Sequence, residues 1–327
     1  MFPDSMLGRQ LGPYRLLEQL GAGGRACMFS AQKLPEREKA AIKVLDLRTD
    51  PGAAAVEDFK REAERLKKLR HPGLAPVIDY GNQDGLFYLV MPWIEGVSLA
   101  RLLESYRNEG AGIYPTATEI LTLMHPICQA LDWAHQNDII HRNLSPANIL
   151  VDGDGQPHIG DFALDWLLQR VQIDQAVDQQ MYVAPEVLVN SKNASPQSDL
   201  FSAGVLLYTM VVGKPPFDQP TINELGEIYS AKKSLPDDRL PAKVRRGVSE
   251  PVEKVILQAM AWKPADRFPS GRLLINALAS AFTRNPLTES APASDLSLQE
   301  RVKLLLAGEP LPPRSVPQKA FENPGNW

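Results

Sequence analysis

Two cysteines, Cys27 and Cys128, are all that the 327 residues contain. They are too few for a disulfide framework and are not spaced as metal ligands, so the chain reads as one made for a reducing interior. Charge is not one-sided either: 35 basic against 39 acidic residues leave a formal net charge of −4 and a pI near 5.8. That balance gives no electrostatic reason to expect nucleic acid or an anionic membrane as partner. The apolar stretch Val205–Val212 falls far short of the ~20 residues that cross a bilayer. No basic segment followed by an apolar one opens the sequence as a signal peptide would, and no internal repeat is visible. These absences set the expectation of a soluble, cytoplasmic protein. The length suggests two domains, or two lobes of one, and 44% apolar with 23% charged residues is ordinary for a globular protein.

The pattern that is present changes along the chain. Residues 1–13 form a short leader. Residues 14–33 alternate apolar and polar positions around a glycine cluster, which predicts two strands joined by a tight loop. Ala40–Leu45 and Leu86–Trp93 predict further strands. From Val56 to Arg70, Phe59, Ala63 and Leu66 recur at helical spacing with charges on the opposite face. Beyond residue 93 helical periodicity dominates, over Ala117–Gln136, Ser198–Val212 and Val252–Trp262. After about residue 284 prolines crowd the chain, with one helical island. There Ser297 and Glu300 make a capping box, Leu298, Val302 and Leu305 share a face, and Gly308 can end the helix. Such a short helix implies a surface to pack on, in this chain or a partner, unless it fluctuates within the tail.

The chemistry-bearing motifs follow one another in a fixed order. Leu20-Gly21-Ala22-Gly23-Gly24-Arg25-Ala26-Cys27-Met28 is a glycine-rich segment whose backbone N–H groups could approach phosphate oxygens; alone it is as well explained by a hairpin. Lys43 interrupts an apolar strand. Glu62 lies on the apolar side of its helix, where a charge needs a partner, and Lys43 is the candidate. Tyr88–Trp93 is a strand with an exit proline. Residues 141–148 read His-Arg-Asn-Leu-Ser-Pro-Ala-Asn. Gly160-Asp161-Phe162-Ala163 follows, and Asp161 with Asn148 offers the hard oxygen ligands that Mg²⁺ prefers. Asp199, Ala184-Pro185-Glu186 and Arg267 complete the series.

In this order and spacing, across roughly residues 14–283, the chain resembles the bacterial serine/threonine protein kinases of the eukaryotic (Hanks) type. The resemblance implies an α+β, two-lobed protein-kinase-like fold. Residues 14–92 would form a small β-rich N-lobe, 93–283 a larger helical C-lobe, and 284–327 a proline-rich tail with a short helix. It implies ATP and Mg²⁺ as ligands. Gly21, Gly23, Met28, Ala41, Lys43, Glu62, Met91, Trp93 and Leu150 would form the nucleotide site, with Met91 as gatekeeper and Met28, Ala41 and Leu150 sandwiching the adenine. Asn148 and Asp161 would hold the metal. Leu66, Val77, His141 and Phe162 would stack to align the lobes. Asp199 would brace the catalytic-loop backbone, and Arg267 would pair with Glu186.

The departures from the family pattern cluster on the side facing the phosphate acceptor. Asn143 stands where the family has its catalytic aspartate, and Ser145 where it has a lysine. The family's Gly-Thr pair reads Asp178-Gln179, and no serine or threonine lies between Ala163 and Ala184. Arg142, which grips a loop phosphate in many relatives, would here meet a fixed acid such as Asp174 or Asp178. The expectation is a pseudokinase that binds ATP–Mg²⁺ and acts on an unknown protein partner as an allosteric or scaffolding module. The alternative is a weakly active kinase, because phosphoryl transfer rests mainly on positioning and charge. A scaffold that binds no nucleotide fits poorly with Lys43 and the two metal ligands.

Overall fold

The alternating residues of the N-terminal third form one antiparallel sheet in a computed structural model that describes residues 6–22, 26–46, 53–110, 113–162, 181–216, 235–284, 287 and 296–311. Its strands are β1 (Gln10–Leu11), β2 (Tyr14–Ala22), β3 (Ala26–Lys33), β4 (Glu38–Asp46), β5 (Asp79–Gln83) and β6 (Leu86–Pro92), in the order β1-β2-β3-β4-β6-β5. Met28 lies opposite Lys43, and Ala41 opposite Met91. Opposed residues share a face, as do alternate residues of one strand, so Met28, Ala41, Lys43 and Met91 all project from one side. Cys27, Phe29, Ile42, Val44 and Val90 project from the other, into a buried cluster. Helix α1 (Ala53–Lys68) packs Phe59 edge-on against Phe87, with ring centroids 4.9 Å apart.

A second, larger lobe follows. Strand β7 (Gly96–Ser98) joins β8 (Ile149–Asp152) and β9 (Pro157–Ile159) in a small antiparallel sheet. The helices are α2 (Leu99–Glu109), α3 (Ala117–Gln136), α4 (Pro185–Val189), α5 (Pro196–Val212), α6 (Pro241–Val244), α7 (Glu250–Ala259), α8 (Gly271–Arg284) and α9 (Leu298–Ala307). Every residue of α5 from Ser198 to Val212 is buried. A helix enclosed on all sides must be apolar all round, which accounts for the stretch Val205–Val212. Gly204 makes that enclosure possible, since a Cβ there would stand 2.8 Å from the Ala259 side chain. Asp132 of α3 caps α8, accepting the N–H groups of Gly271 (2.6 Å) and Arg272 (2.8 Å).

The small sheet-rich lobe on a larger helical lobe is the architecture expected of the kinase-like pattern. The helix expected over Val252–Trp262 begins and ends earlier, at Glu250–Ala259; Pro251 sits in its first turn, where a missing N–H costs no helical bond. No helix among the described residues is long and apolar enough to cross a membrane.

Candidate functional site

The site lies between the lobes. From above, β4 sends Lys43 down, and its Nζ lies 2.7 Å from Oδ2 of Asp161. Both side chains are largely enclosed, at 13% and 17% exposure, so the pair is only weakly screened by solvent. Glu62 is not the partner of Lys43, contrary to the expectation from its place on the apolar side of α1. It meets Arg65 of its own helix at 3.4 Å instead, while Arg65 donates to the Asp138 carbonyl of the lower lobe at 3.0 Å. Asp161, at a positive φ of 59°, brings its carboxylate to the lysine, and Glu62 is paired with Arg65 instead.

From below, the segment His141–Asn148 is held by its backbone. Asp199 accepts the N–H groups of His141 and Arg142, each at 2.8 Å, and bonds Nε2 of His135 at 2.7 Å. These bonds hold Arg142 at φ 71°, a strained conformation for a non-glycine residue. The third partner, His135, carries no motif signal and is missed by sequence reasoning. His141 donates from Nε2 to the Gly160 carbonyl (2.8 Å), and its Nδ1 accepts the N–H of Asn143 (3.2 Å). That bonding requires the neutral Nε2–H tautomer. Burial lowers the His141 pKa from its ordinary 6.5 and favours the same state. Phe162 packs edge-on against the His141 ring at 4.4 Å, and it lines a cavity of about 20 Å³ with Leu66, Val77 and Met91. Of the four side chains expected to stack between the lobes, His141 meets Phe162, and Phe162 lines one cavity with Leu66 and Val77.

The loop brings the four candidate residues of its lower side together. Asn148 donates its side-chain N–H to the Asn143 carbonyl at 2.8 Å, and its own carbonyl accepts from Gly160, the neighbour of Asp161, also at 2.8 Å. Asn143 and Ser145 are buried. The Ser145 hydroxyl and Oδ1 of Asp161 are enclosed without a hydrogen-bond partner among the described residues. Leu150, half-buried, pairs with Ser98 across β7–β8. Trp93 follows β6 in the connection between lobes, with the Lys39 ammonium 5.8 Å from its ring centroid. Gly21 lies opposite Met28. Gly23, Ala163, Asp174, Asp178 and Gln179 lie outside the described residues.

Beside the site, Arg267 grips Glu186 with two parallel bonds of 2.7 and 2.8 Å. The guanidinium also donates to the carbonyls of Ala261, Gln197 and Trp262. Burial acts to raise the Glu186 pKa, but the bonds from Arg267 and Ser198 outweigh it and hold the carboxyl below its ordinary 4.5.

Comparison with known proteins agrees with this geometry. Residues 14–277 match the protein kinase domain family. The chain is 29% identical over 294 residues to the serine/threonine-protein kinase PrkC of Bacillus subtilis, which covers 87% of this chain and 43% of that protein. It is 29% identical over 321 residues to the serine/threonine-protein kinase PknH of Mycobacterium tuberculosis, covering 97% and 49%. It thus spans less than half the length of these two relatives. The solved kinase domain of Mycobacterium tuberculosis PknI superposes with a TM-score of 0.64 over 84% of this chain and 98% of that one, at 24% identity, a likeness that bears on the fold alone. With lysine, braced loop and interlobe aspartate in family order, and the family match spanning most of its length, this chain belongs to the protein kinase domain family.

Proposed function

We propose that the domain binds ATP–Mg²⁺ between its lobes, transfers phosphate little or not at all, and works as a nucleotide-responsive module on a protein partner. The observation that carries this reading is a retained lysine and two metal-type ligands, Lys43 on Asp161 with Asn148 beside them, facing an incomplete acceptor side in one cleft. On this reading Lys43 would contact phosphate, and Met28, Ala41 and Met91, which share one face of the upper sheet, would form with Leu150 the apolar slot for a base. Asn143 and Ser145 stand where a proton acceptor and a cation would serve the transfer, and neither amide nor hydroxyl supplies those properties.

The residues fit a magnesium ion. Asp161 keeps Oδ1 enclosed and without a protein partner among the described residues. The Asn148 amide nitrogen is committed to the Asn143 carbonyl, which leaves its carbonyl oxygen for a ligand. Two such oxygens are the donors Mg²⁺ takes, usually together with waters and phosphate. The bound ion would neutralise phosphate charge. Lys43 would then be shared between Asp161 and the nucleotide. Two free, buried cysteines suit a cytoplasmic setting. A second reading, a weakly active kinase, draws support from the loop itself, which Asp199 braces with its backbone fully held.

Thermal unfolding with ATP, with and without Mg²⁺, tests binding. A ligand at a hundred times its Kd stabilises the native state by about 2.7 kcal/mol, and Lys43→Ala and Asp161→Ala should each reduce that shift. No shift at millimolar ATP would refute the nucleotide reading. Phosphate incorporation into generic protein substrates should stay at background, and steady turnover by the unmodified chain would establish the second reading instead.

A further inference from the structure

Arg301 heads the large side chains that are wholly buried among the described residues, yet it lies beyond residue 277, where the family match ends. Its guanidinium enters a receptor on α2. The plane stacks on the Tyr106 ring at 3.9 Å, Nη2 pairs with the Glu109 carboxylate, and Nη1 reaches the Ser105 hydroxyl at 3.4 Å. Glu109 is itself almost fully enclosed. Tyr106 passes the contact on, donating its hydroxyl to Glu119 at 2.7 Å, and Glu119 is the capping-box acid of α3.

The rest of α9 reaches in the other direction. Leu298 and Gln299 lie over Gly155, and the Gln299 side chain donates to the Asp154 carbonyl at 3.1 Å, which ties the helix to the β8–β9 turn. Val302 is fully buried. Helix α9 therefore packs on β7 and α2 together, with one end on α2 and the other on the turn beyond β8. Under it lies β7, which pairs with β8, the strand that leaves Asn148. Trp93 and the interlobe connection run directly into β7. Ser98 pairs with Leu150 and also caps α2, accepting the Arg101 N–H at 3.2 Å.

We propose that residues 296–311 are a strap belonging to the nucleotide site, and that Arg301 is a positioning residue for it, holding β7, and through β7 the Leu150 floor, in the place a base requires. The inference deepens the nucleotide-binding reading and rests on it. A planar, permanently charged group suits this seat: it stacks on an aromatic face and meets a carboxylate at once. Removing one member of an enclosed ion pair strands the other charge, so loss of Arg301 forces Glu109 outwards, loosens α9 from α2 and, because α9 also packs on β7, frees that strand.

The test uses the full chain with Arg301→Leu. Glu109→Gln serves as a second variant that keeps the volume of the seat while removing its charge. Amide hydrogen exchange and titration with a fluorescent ATP analogue plus Mg²⁺ are measured on all three proteins. The expected result is lost protection over α9 and over Val97–Leu99 in both variants, with nucleotide bound roughly tenfold more weakly. An unchanged Kd in a variant whose α9 amides have become fast would overturn the positioning role. Fast exchange over α9 in the unmodified protein would overturn the strap itself. Should the unmodified protein bind no nucleotide, that reading falls separately, and the strap is judged on Val97–Leu99: protection lost in Arg301→Leu sustains it, and protection kept refutes it.

Discussion

At Asn143 the chain carries an amide where its family resemblance calls for a carboxylate, and an amide takes up no proton near neutral pH. The mismatch is not confined to that atom, because the buried Ser145 and Gln179 occupy the other two places that would work with it. Asn143→Asp alone is therefore expected to recover little phosphate transfer. Restoring aspartate, lysine and threonine together at positions 143, 145 and 179 should exceed the sum of the single changes, since such groups act as a unit; radiolabel incorporation measures both. Glu186 yields a prediction of a different kind. Its folded pKa lies below the ordinary 4.5, so the carboxylate contributes stability above about pH 4.5, and that contribution is lost as pH falls through the folded value. Glu186→Gln should cost about 3 kcal/mol at neutral pH, because Arg267 is left buried without its counter-charge. Urea unfolding should show the gap to the unmodified protein narrowing below pH 4.5. The tie between Glu186 and Arg267 was legible from family order. The partner of Lys43 was not, because Glu62 and Asp161 both offered a carboxylate and spacing alone does not rank them.

Regular apolar patterning made elements legible more than length did: the 14 residues of α8 were missed, while the ten of α9 were read. Helix α3 coincides with the span expected from periodicity, Ala117–Gln136, and its start is fixed by Thr116 and Glu119, which cap each other's backbone N–H groups. Thr116→Ala should destabilise the protein by about 1 kcal/mol in urea unfolding. Glu119→Ala should cost more, because Tyr106 also loses its hydrogen-bond acceptor. The short strands β1, β5, β7, β8 and β9 escaped detection. At two to five residues they hold too few positions for an alternating pattern to show, and their pairing is supplied by distant chain. Helix α2 was missed for another reason. Its enclosed side includes Ser105, and the residues that receive Arg301 read from sequence as an ordinary polar surface. In α9 the capping box, Leu298 and Val302 could be read ahead of the structure, whereas nothing in the sequence marked the arginine between them.

Across the whole molecule, stability should be uneven. The lower lobe is built around an enclosed helix, while the two lobes meet through contacts such as Lys43–Asp161, the Arg65–Asp138 bond and the ring pair His141–Phe162. Native-state exchange should find the amides of Leu200–Val211 opening only with global unfolding, and those of α1 opening at lower free energy; equal protection in both would contradict this picture. The seat of Arg301 has a further implication, for how the chain is made. Synthesis runs from the N-terminus and domains tend to fold as they emerge, but the contact between Glu109 and Arg301 spans 192 positions. While most of the lower lobe is being translated, Glu109 and the face of Tyr106 have no guanidinium to receive. The nascent domain must leave that acid open to water until residue 301 has emerged. A ribosome-bound chain stalled before residue 296 should accordingly leave α2 accessible to protease, and the same chain extended past residue 311 and clear of the ribosome should not.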